Sequence, residues 1–205
     1  MLIRQIQDAD KNSIFLTFDD GPDPRFTPKI LELLQRYKIK ATFFLIAKKA
    51  YTEKELTAEI VLSGHSIGNH SLDHSYLIFF KGRSAIKKWI KEAEDIFSEM
   101  KIYNIVGFRP PNGIRTPELF VALKDLNIPL VLWNTRYYDS VWNWTKRKAR
   151  SSLNKIQPGS IVLLHDVQKS KNLQSFLDTL EYFILEAHRM GFNFEPLTRQ
   201  LCEGI

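Results

Sequence analysis

Short apolar runs recur along the chain, and the stretches between them are long enough to hold helices. The runs span four to six residues and show little polar alternation, which is typical of parallel strands covered on both faces. The strong runs cover residues 14–18, 41–46, 105–108, 128–133 and 161–164, and a weaker one covers 66–69. This pattern predicts six strands of one parallel sheet.

Helical periodicity occupies the stretches between the runs. It is clearest over residues 84–100, where apolar side chains recur at i, i+3, i+4 and i+7. Further helices are predicted over 28–37, 53–62, 117–126, 145–155 and 173–190. Thr27 is the predicted N-cap of the first of these, with Pro28 at its first position, and Gly191 is expected to end the last.

Strands and helices that alternate from end to end predict a parallel sheet with right-handed crossovers, either a barrel or a doubly wound sheet. No Gly-x-Gly-x-x-Gly follows the first strand, which argues against a dinucleotide fold and favours a barrel-like α/β sheet. The chain has 205 residues, of which 44% are apolar, so it can bury one substantial core. A single domain over 1–205 is predicted.

Cysteine and hydropathy restrict the chemistry further. Cys202 is the only cysteine, so an intrachain disulfide and a Cys-rich metal site are both excluded, and any metal must be held by His, carboxylate or water. The first residues contain no apolar signal-peptide core, and no 18 apolar residues run together. No membrane span is therefore expected. A cytoplasmic location is predicted, although a leader removed earlier would leave the same sequence.

The chain is basic, with a net charge of +6 and a pI near 9.3. Its Lys and Arg residues are mostly spread over the predicted helices, where they form solvated faces. The densest basic segment is 146–150. We interpret this segment as a solvated helix face and expect no nucleic-acid partner; contact with nucleic acid, anionic lipid or an acidic glycan is the alternative.

Ionisable residues follow several predicted strands. They are Asp19 and Asp20, His70 and His74, Arg109, Asp139, and His165 with Asp166. Each alone has an ordinary structural explanation, such as a turn, a cap or a rim hydrogen bond. Carboxyl ends of parallel strands share one edge, however, and clustered ionisable groups cost desolvation and repulsion. Their clustering at that edge predicts an active site.

Two of these residues, His70 and His74, are four positions apart, a spacing that places both imidazoles on one face of a helical turn. One carboxylate would complete a site that leaves positions open for water and substrate, as metal-dependent hydrolysis requires. This donor set suits zinc or another divalent transition metal. Asp19 and Asp20 leave a strand in different directions, so one can bind the metal while the other acts as a base. His65 and His188 are assigned structural roles.

At these residues the chain resembles the polysaccharide deacetylases, carbohydrate esterase family 4, over essentially its whole length. The matching segments are Thr-Phe-Asp-Asp-Gly-Pro at 17–22, His-Ser-Leu-Asp-His at 70–74, Arg-Pro-Pro-Asn-Gly at 109–113 and Leu-Leu-His-Asp at 163–166. The first two segments together are highly specific. The resemblance implies a distorted (β/α) barrel with fewer than eight repeats.

The resemblance also implies roles for individual residues. Asp19 would be the general base and Arg109 would position it, Asp20, His70 and His74 would bind the metal, and His165 would be the general acid. Pro111, Asn112 and Leu163 would line the substrate site, with backbone N–H groups after Arg109 holding the oxyanion. The metal would polarise the acetamide carbonyl and acidify water, Asp19 would take the proton of that water, and His165 would protonate the departing amine.

A fifth segment departs from the family pattern. The family commonly has Asp-x-x-Asp-Trp, whereas this chain has Arg136 and Ser140 at the first and last of these positions. An arginine near His165 would disfavour the imidazolium, unless it points away or Asp139 compensates. Asp139 and Trp142 are assigned to substrate binding. For Trp142 the alternatives are stacking on a sugar, refilling the pocket wall or packing in the core, and the same alternatives apply to Trp144.

The predicted function is therefore a divalent-metal-dependent hydrolase that removes acetyl groups from N-acetylated amino sugars or glycans. Zinc is the expected metal, and cobalt, nickel, manganese and iron are the alternatives. Two other functions stay open. One is a catalytically weak or silent glycan-binding module, which Arg136, Ser140 and Asn112 favour because they depart from the family pattern. The other is hydrolysis of a different C–N amide on the same scaffold.

Overall fold

The computed structural model describes residues 1–7, 9–10, 12–167 and 173–204. Its strands are β1 (Leu2–Ile3), β2 (Ser13–Asp19), β3 (Thr42–Leu45), β4 (Ser66–Asn69), β5 (Ile105–Phe108), β6 (Leu130–Val131), β7 (Thr135–Arg136), β8 (Ile161–His165) and β9 (Asn193–Phe194). Its α-helices are α1 (Thr27–Arg36), α2 (Ala47–Thr52), α3 (Lys54–Leu62), α4 (Gly82–Glu99), α5 (Pro117–Leu126), α6 (Lys146–Leu153), α7 (Leu173–Arg189) and α8 (Arg199–Glu203).

The strands form one curved parallel sheet in the order β1-β6-β5-β4-β3-β2-β8-β7, and β9 pairs with the start of β2. Among the described residues, the two end strands of this path, β1 and β7, do not pair with each other, so the sheet is an incomplete barrel. In the ladder between β2 and β8, Asp19 is the register partner of His165. The predicted distorted (β/α) barrel is confirmed.

Both faces of the central strands are covered, as the continuous apolar runs predict. On β2, Ile14, Leu16 and Phe18 pack in the cluster that includes the helices, whereas Phe15 lies in a second cluster inside the barrel with Phe44 of β3. All of these side chains are fully buried, and each contributes about 1.5–3 kcal/mol relative to an exposed position. The sheet therefore forms a rigid base for the loops at its carboxyl edge.

The predicted strands and helices are all present, and two details differ. The run 128–133 forms a strand only at Leu130–Val131. Thr27 is not an N-cap, because it lies inside α1 and the residue before the helix is Phe26. The Thr27 hydroxyl instead accepts a hydrogen bond from the Asp23 N–H at 2.9 Å and donates one to the Asp166 carboxylate at 2.7 Å. No helix in the described part of the chain is long and apolar enough to cross a bilayer.

Candidate metal centre and active-site cleft

The carboxyl ends of β2, β4, β5 and β8 surround a cleft of about 620 Å³. The ionisable side chains that line this cleft are Asp19, Asp20, His70, His74, Arg136 and His165. A larger groove of about 1160 Å³ lies beside the N-terminal residues, and no carboxylate or imidazole of the described chain lines it. The predicted convergence of ionisable groups therefore occurs in the smaller cleft.

Three donor atoms in the cleft lie at metal-binding distances from one another. The Asp20 Oδ1 atom is 3.3 Å from His70 Nε2 and 3.1 Å from His74 Nε2. One donor atom from each residue lies within 4.8 Å of the others. A zinc ion bonded to its ligands at about 2.0–2.2 Å in tetrahedral geometry holds them about 3.4 Å apart. The triad therefore fits a divalent cation, and Asp20, His70 and His74 are brought together as predicted.

The hydrogen bond made by the Nδ1 atom of His70 supports this fit. His70 Nδ1 donates to the Arg109 carbonyl oxygen at 2.8 Å, so the proton of a neutral imidazole is on Nδ1. Its Nε2 then carries a lone pair that faces a carboxylate oxygen of Asp20. Two acceptors can face each other only when a proton or a cation lies between them, and a divalent cation satisfies both at once.

Backbone conformation, and not a helical turn, brings the two histidines together. The segment after β4 is irregular, with positive φ at Ser71 (86°) and His74 (62°), so the helical reasoning from their spacing is wrong although the convergence is correct. The Asn69 side-chain oxygen accepts from the Ser71 N–H at 2.7 Å, and the Ser71 hydroxyl accepts from the His74 N–H at 2.9 Å. These bonds fix the loop.

Asp20 also has a left-handed backbone, with φ of 78°, directly after the last residue of β2. Lys49 Nζ donates to its carbonyl oxygen at 2.9 Å. At the next residue, Gly21, any Cβ would overlap the buried Asp166 carboxylate, so only glycine fits this turn. Strained residues of this kind persist where the surrounding structure determines them, and they gather at functional sites.

The charge state of Asp20 suits metal binding. Burial raises the pKa of its carboxyl, but the hydrogen bonds from His70 and His74 lower the pKa by more, so the net pKa lies well below the ordinary value. Asp20 is therefore ionised at neutral pH. An ionised carboxylate is the form that binds a metal.

Asp19 points away from the triad and towards Arg109. Its Oδ1 accepts from Arg109 Nη1 at 2.7 Å, while its Oδ2 is 3.9 Å from His70 Nε2. The guanidinium is completely buried and also donates to the Thr17 hydroxyl and to the carbonyls of Val131 and Leu132. Burial lowers the pKa of Arg109, and the charge of Asp19 opposes that shift. The two neighbouring acids therefore occupy different environments, as predicted from their directions.

His165 lies at the end of β8 and is paired with Asp139. Its Nδ1 hydrogen-bonds Asp139 Oδ1 at 2.9 Å, and its backbone N–H donates to Asp139 Oδ2 at 2.8 Å. Burial lowers the pKa of His165, but the charge and hydrogen bond of Asp139, with smaller contributions from Asp19 and Asp20, raise the pKa to about 9. Asp139 thus compensates for the missing acid at 136, one of the outcomes that the sequence left open.

Comparison with known proteins identifies the family. The family model described as polysaccharide deacetylase matches residues 6–131, which is more than half of the chain. This chain belongs to the polysaccharide deacetylase family. A peptidoglycan-N-acetylglucosamine deacetylase of Bacillus cereus is 30% identical over 202 residues, which cover 92% of this chain and 87% of that protein. Family members of this type are hydrolases of N-acetylated sugars that use a divalent metal.

Solved structures of the carbohydrate esterase family 4 share the fold. The Bc1960 peptidoglycan N-acetylglucosamine deacetylase has a TM-score of 0.83 and 30% identity, covering 96% of this chain and 90% of that one. A family 4 acetyl xylan esterase from Clostridium thermocellum, solved with a cobalt ion, has a TM-score of 0.78 and 30% identity, covering 90% and 88%. A pseudoenzyme of this family from Bacillus anthracis has a TM-score of 0.84 at 22% identity, covering 98% and 69%.

The substrate-binding residues expected from the polysaccharide deacetylase motifs take different positions. Leu163 and Asn112 line the cleft, and Pro111 is buried beside it. Asp139 is buried behind His165 and does not line the cleft. Trp142 is 65% exposed and lines an adjoining groove. Trp144 is a core residue, packed on Tyr137, Phe176 and Phe183.

Several residues that line the cleft were not expected from the sequence. They are Tyr76, Trp133, Tyr138, Val141 and Val167. Tyr76 and Tyr138 follow no apolar run, and Trp133 belongs to the run 128–133, where it reads as a strand residue. Positive φ at Tyr138 (55°) and at Asn112 (52°) turns the loops towards the cleft. The other two histidines lie elsewhere, since His65 accepts from the Ala41 N–H and His188 packs on Phe194.

Proposed function

We propose that this protein is a zinc-dependent deacetylase of N-acetylated amino sugars within a glycan. The observation that carries the proposal is the geometry of the two neighbouring acids. Asp20 converges with His70 and His74 on one point, while Asp19 stays beside them, ion-paired to Arg109. Two imidazoles, one carboxylate and open positions suit zinc, and the B. cereus relative is named for N-acetylglucosamine in peptidoglycan.

A cation held by the triad would polarise the acetamide carbonyl and acidify water. Asp19 would accept the proton of the attacking water through Oδ2, because its Oδ1 is occupied by Arg109. The buried guanidinium donates to this carboxylate and fixes its direction. The Asn112 backbone N–H is the proposed donor to the oxyanion, and Leu163 and Trp133 form the walls around the acetyl group.

His165 would protonate the departing amine nitrogen. An amide nitrogen is a poor leaving group without that proton, so this step matters as much as the attack. The two hydrogen bonds with Asp139 orient the ring and place the Nδ1 proton, so that Nε2 faces the cleft as the donor. These contacts support His165 as the acid despite Arg136 and Ser140.

Acetate release from N-acetylglucosamine oligomers tests the proposal directly. The protein is stripped with a chelator and then assayed with no metal, with zinc and with cobalt. Activity should be absent in the stripped protein and should return with either ion. If the loaded protein releases no acetate from chitooligosaccharide or peptidoglycan, the proposal fails. Glycan binding without turnover, unchanged in Asp19→Asn, would instead establish the glycan-binding module.

The pH dependence of turnover tests the acid. Substituting Asp139→Asn removes the charge that raises the pKa of His165, so activity should fall away at a pH lower by about one unit or more. The sign follows because the acid acts only when it is protonated, below its pKa. The raised pKa of His165 also contributes to folding stability, because the folded state holds the imidazole proton more tightly than the unfolded state does. This contribution from the His165–Asp139 pair is complete below pH 6.5 and is lost as the pH rises through about 9.

The measurement is the pH profile of kcat/KM for wild type and Asp139→Asn, each fully loaded with zinc so that the cation shifts His165 equally in both. Asp178→Asn, on the exposed surface of α7, is the matched control and should keep the wild-type profile. If the alkaline limb of the pH profile is unchanged in Asp139→Asn, Asp139 does not determine the pKa of the catalytic acid.

A further inference from the structure

The arginine that departs from the family pattern lines the cleft itself. Arg136 is the last residue of β7, and its register partner on β8 is Leu163. Register partners in a parallel ladder project to the same face of the sheet, and His165 follows two residues after Leu163 on that face. The Arg136 side chain therefore enters the cleft one strand away from the residues proposed to hold the acetyl group and to protonate the amine.

The guanidinium of Arg136 is ordered by aromatic rings and has no counter-charge. It lies 3.6 Å from the centroid of Tyr138 and 5.9 Å from that of Trp133. Among the described residues, no carboxylate oxygen lies within 4 Å of it. Stacking leaves the N–H groups at the edge of the guanidinium available to a ligand. It also restricts the Arg136 side chain before binding, so less conformational entropy is lost when a ligand binds. The residue thus presents an uncompensated, oriented positive charge to the substrate.

A second groove of about 340 Å³ continues from the same side chains. It is lined by Arg136, Tyr137, Tyr138, Trp142, Lys148, Ser151 and Ser152. This groove adds another cation, Lys148, and an exposed aromatic ring, Trp142, and no acidic residue in the described part of the chain lines it. Lys148 belongs to the basic segment 146–150, for which contact with an acidic glycan stayed open. Cations interleaved with aromatic rings suit a sugar chain that carries negative charge.

We propose that Arg136 selects a glycan carboxylate placed within one sugar of the scissile acetamide. The proposal rests on the proposed deacetylase function and specifies its substrate class. Two sources supply that chemistry. A lactyl ether on O3, as in muramic acid, attaches a carboxylate-bearing group to the ring carbon next to the one that bears the acetamide. A uronic acid on the adjoining sugar would reach Arg136 from the Trp142 groove. A carboxylate offers two coplanar oxygens that match the guanidinium fork.

The experiment compares substrates that differ only in this charge. The first pair is a peptide-free strand of alternating N-acetylglucosamine and N-acetylmuramic acid, and the same strand with its lactyl carboxyls converted to methylamides. The second pair is an oligosaccharide that alternates glucuronic acid with N-acetylglucosamine, and its methylamide. Neutral chitooligosaccharide is the reference. Mass spectrometry of the products shows which sugar has lost acetate, and kcat/KM is measured for each.

Wild type should favour the carboxylate form of one pair over its methylamide by about tenfold or more, mainly through KM. Arg136→Gln should reduce that ratio to near one, and Arg136→Lys should retain part of it, because the charge remains but the fork is lost. Arg150→Gln removes one exposed charge from α6 outside both grooves and should keep the full ratio. The pair that shows the preference identifies the source of the carboxylate.

If wild type has the same kcat/KM for the carboxylate and methylamide forms of both pairs, this inference is overturned. The deacetylase function would remain intact in that case, since neutral chitooligosaccharide would still be turned over. A ratio that survives in Arg136→Gln would assign the preference to another residue. If no substrate releases acetate, the proposed function fails, and calorimetric binding of each pair to wild type then decides the role of Arg136 alone. The substrate-side comparison needs no variant, so poor folding of Arg136→Gln would not block it.

Discussion

Replacing His70 with alanine is expected to remove the bound divalent cation and to abolish acetate release with it. The triad supplies only three protein donors, and His70 is the one whose tautomer is fixed by the Arg109 carbonyl. Loss of a residue that merely orients a ligand typically weakens metal affinity by 10-fold to 100-fold, so loss of a ligand should weaken it by about 100-fold or more. Metal content after dialysis, measured by mass spectrometry, should fall from about one equivalent to near zero.

His188→Ala is the matched control, because it also removes one imidazole but lies on the exposed end of α7, against Phe194. It should keep both the metal and the activity. His74→Ala should behave like His70→Ala. Equal metal content in wild type and in both cleft variants would disprove the ligand assignment, provided that circular dichroism shows all of them to be folded.

Asp19→Asn is expected to have the opposite signature, with metal retained and turnover lost. Asparagine keeps the shape of the side chain and an oxygen for Arg109, but it cannot accept a proton from water. General-base catalysis is typically worth 10²–10⁴-fold, so kcat should fall by about 1000-fold. The measurement is kcat together with zinc content in the same preparation.

The variant also leaves the buried Arg109 guanidinium without a counter-charge, so its Tm should fall as well. Assays are therefore run well below that Tm, and Asp178→Asn controls for the loss of one acid elsewhere. Asp19→Asn that loses its zinc would place Asp19 among the ligands. Asp19→Asn that keeps normal turnover would exclude it as the base.

The sequence predicts the strands that carry the chemistry, because these strands are buried on both faces. The runs at β2 and β8 end beside Asp19 and His165, and the rule that parallel strands share one active edge then locates the cleft. Strands of two residues, such as β1, β7 and β9, contain too few positions to show a pattern. β7 and β9 pair with the longer strands β8 and β2, whereas β1 pairs with the equally short β6.

Parts of the site that depend on loop conformation could not be predicted. The pairing of Asp139 with His165 was only one of the possibilities that the sequence left open, because it depends on a loop that turns at Tyr138 through positive φ. The spacing of His70 and His74 predicted their convergence through a helical turn, whereas an irregular loop brings the two side chains together. Trp142 and Trp144 share a segment, but one is exposed and the other is in the core.

The pairing of Asp19 with His165 in the β2–β8 ladder has an evolutionary consequence. The backbone positions of the proposed base and acid are held about 4.8 Å apart by two adjacent hydrogen-bonded strands, and this spacing does not depend on loop length. Insertions and substitutions in the surrounding loops can therefore diversify substrate preference while the proton-transfer pair keeps its geometry. In a scaffold of this kind, substrate specificity can change while the catalytic chemistry is retained.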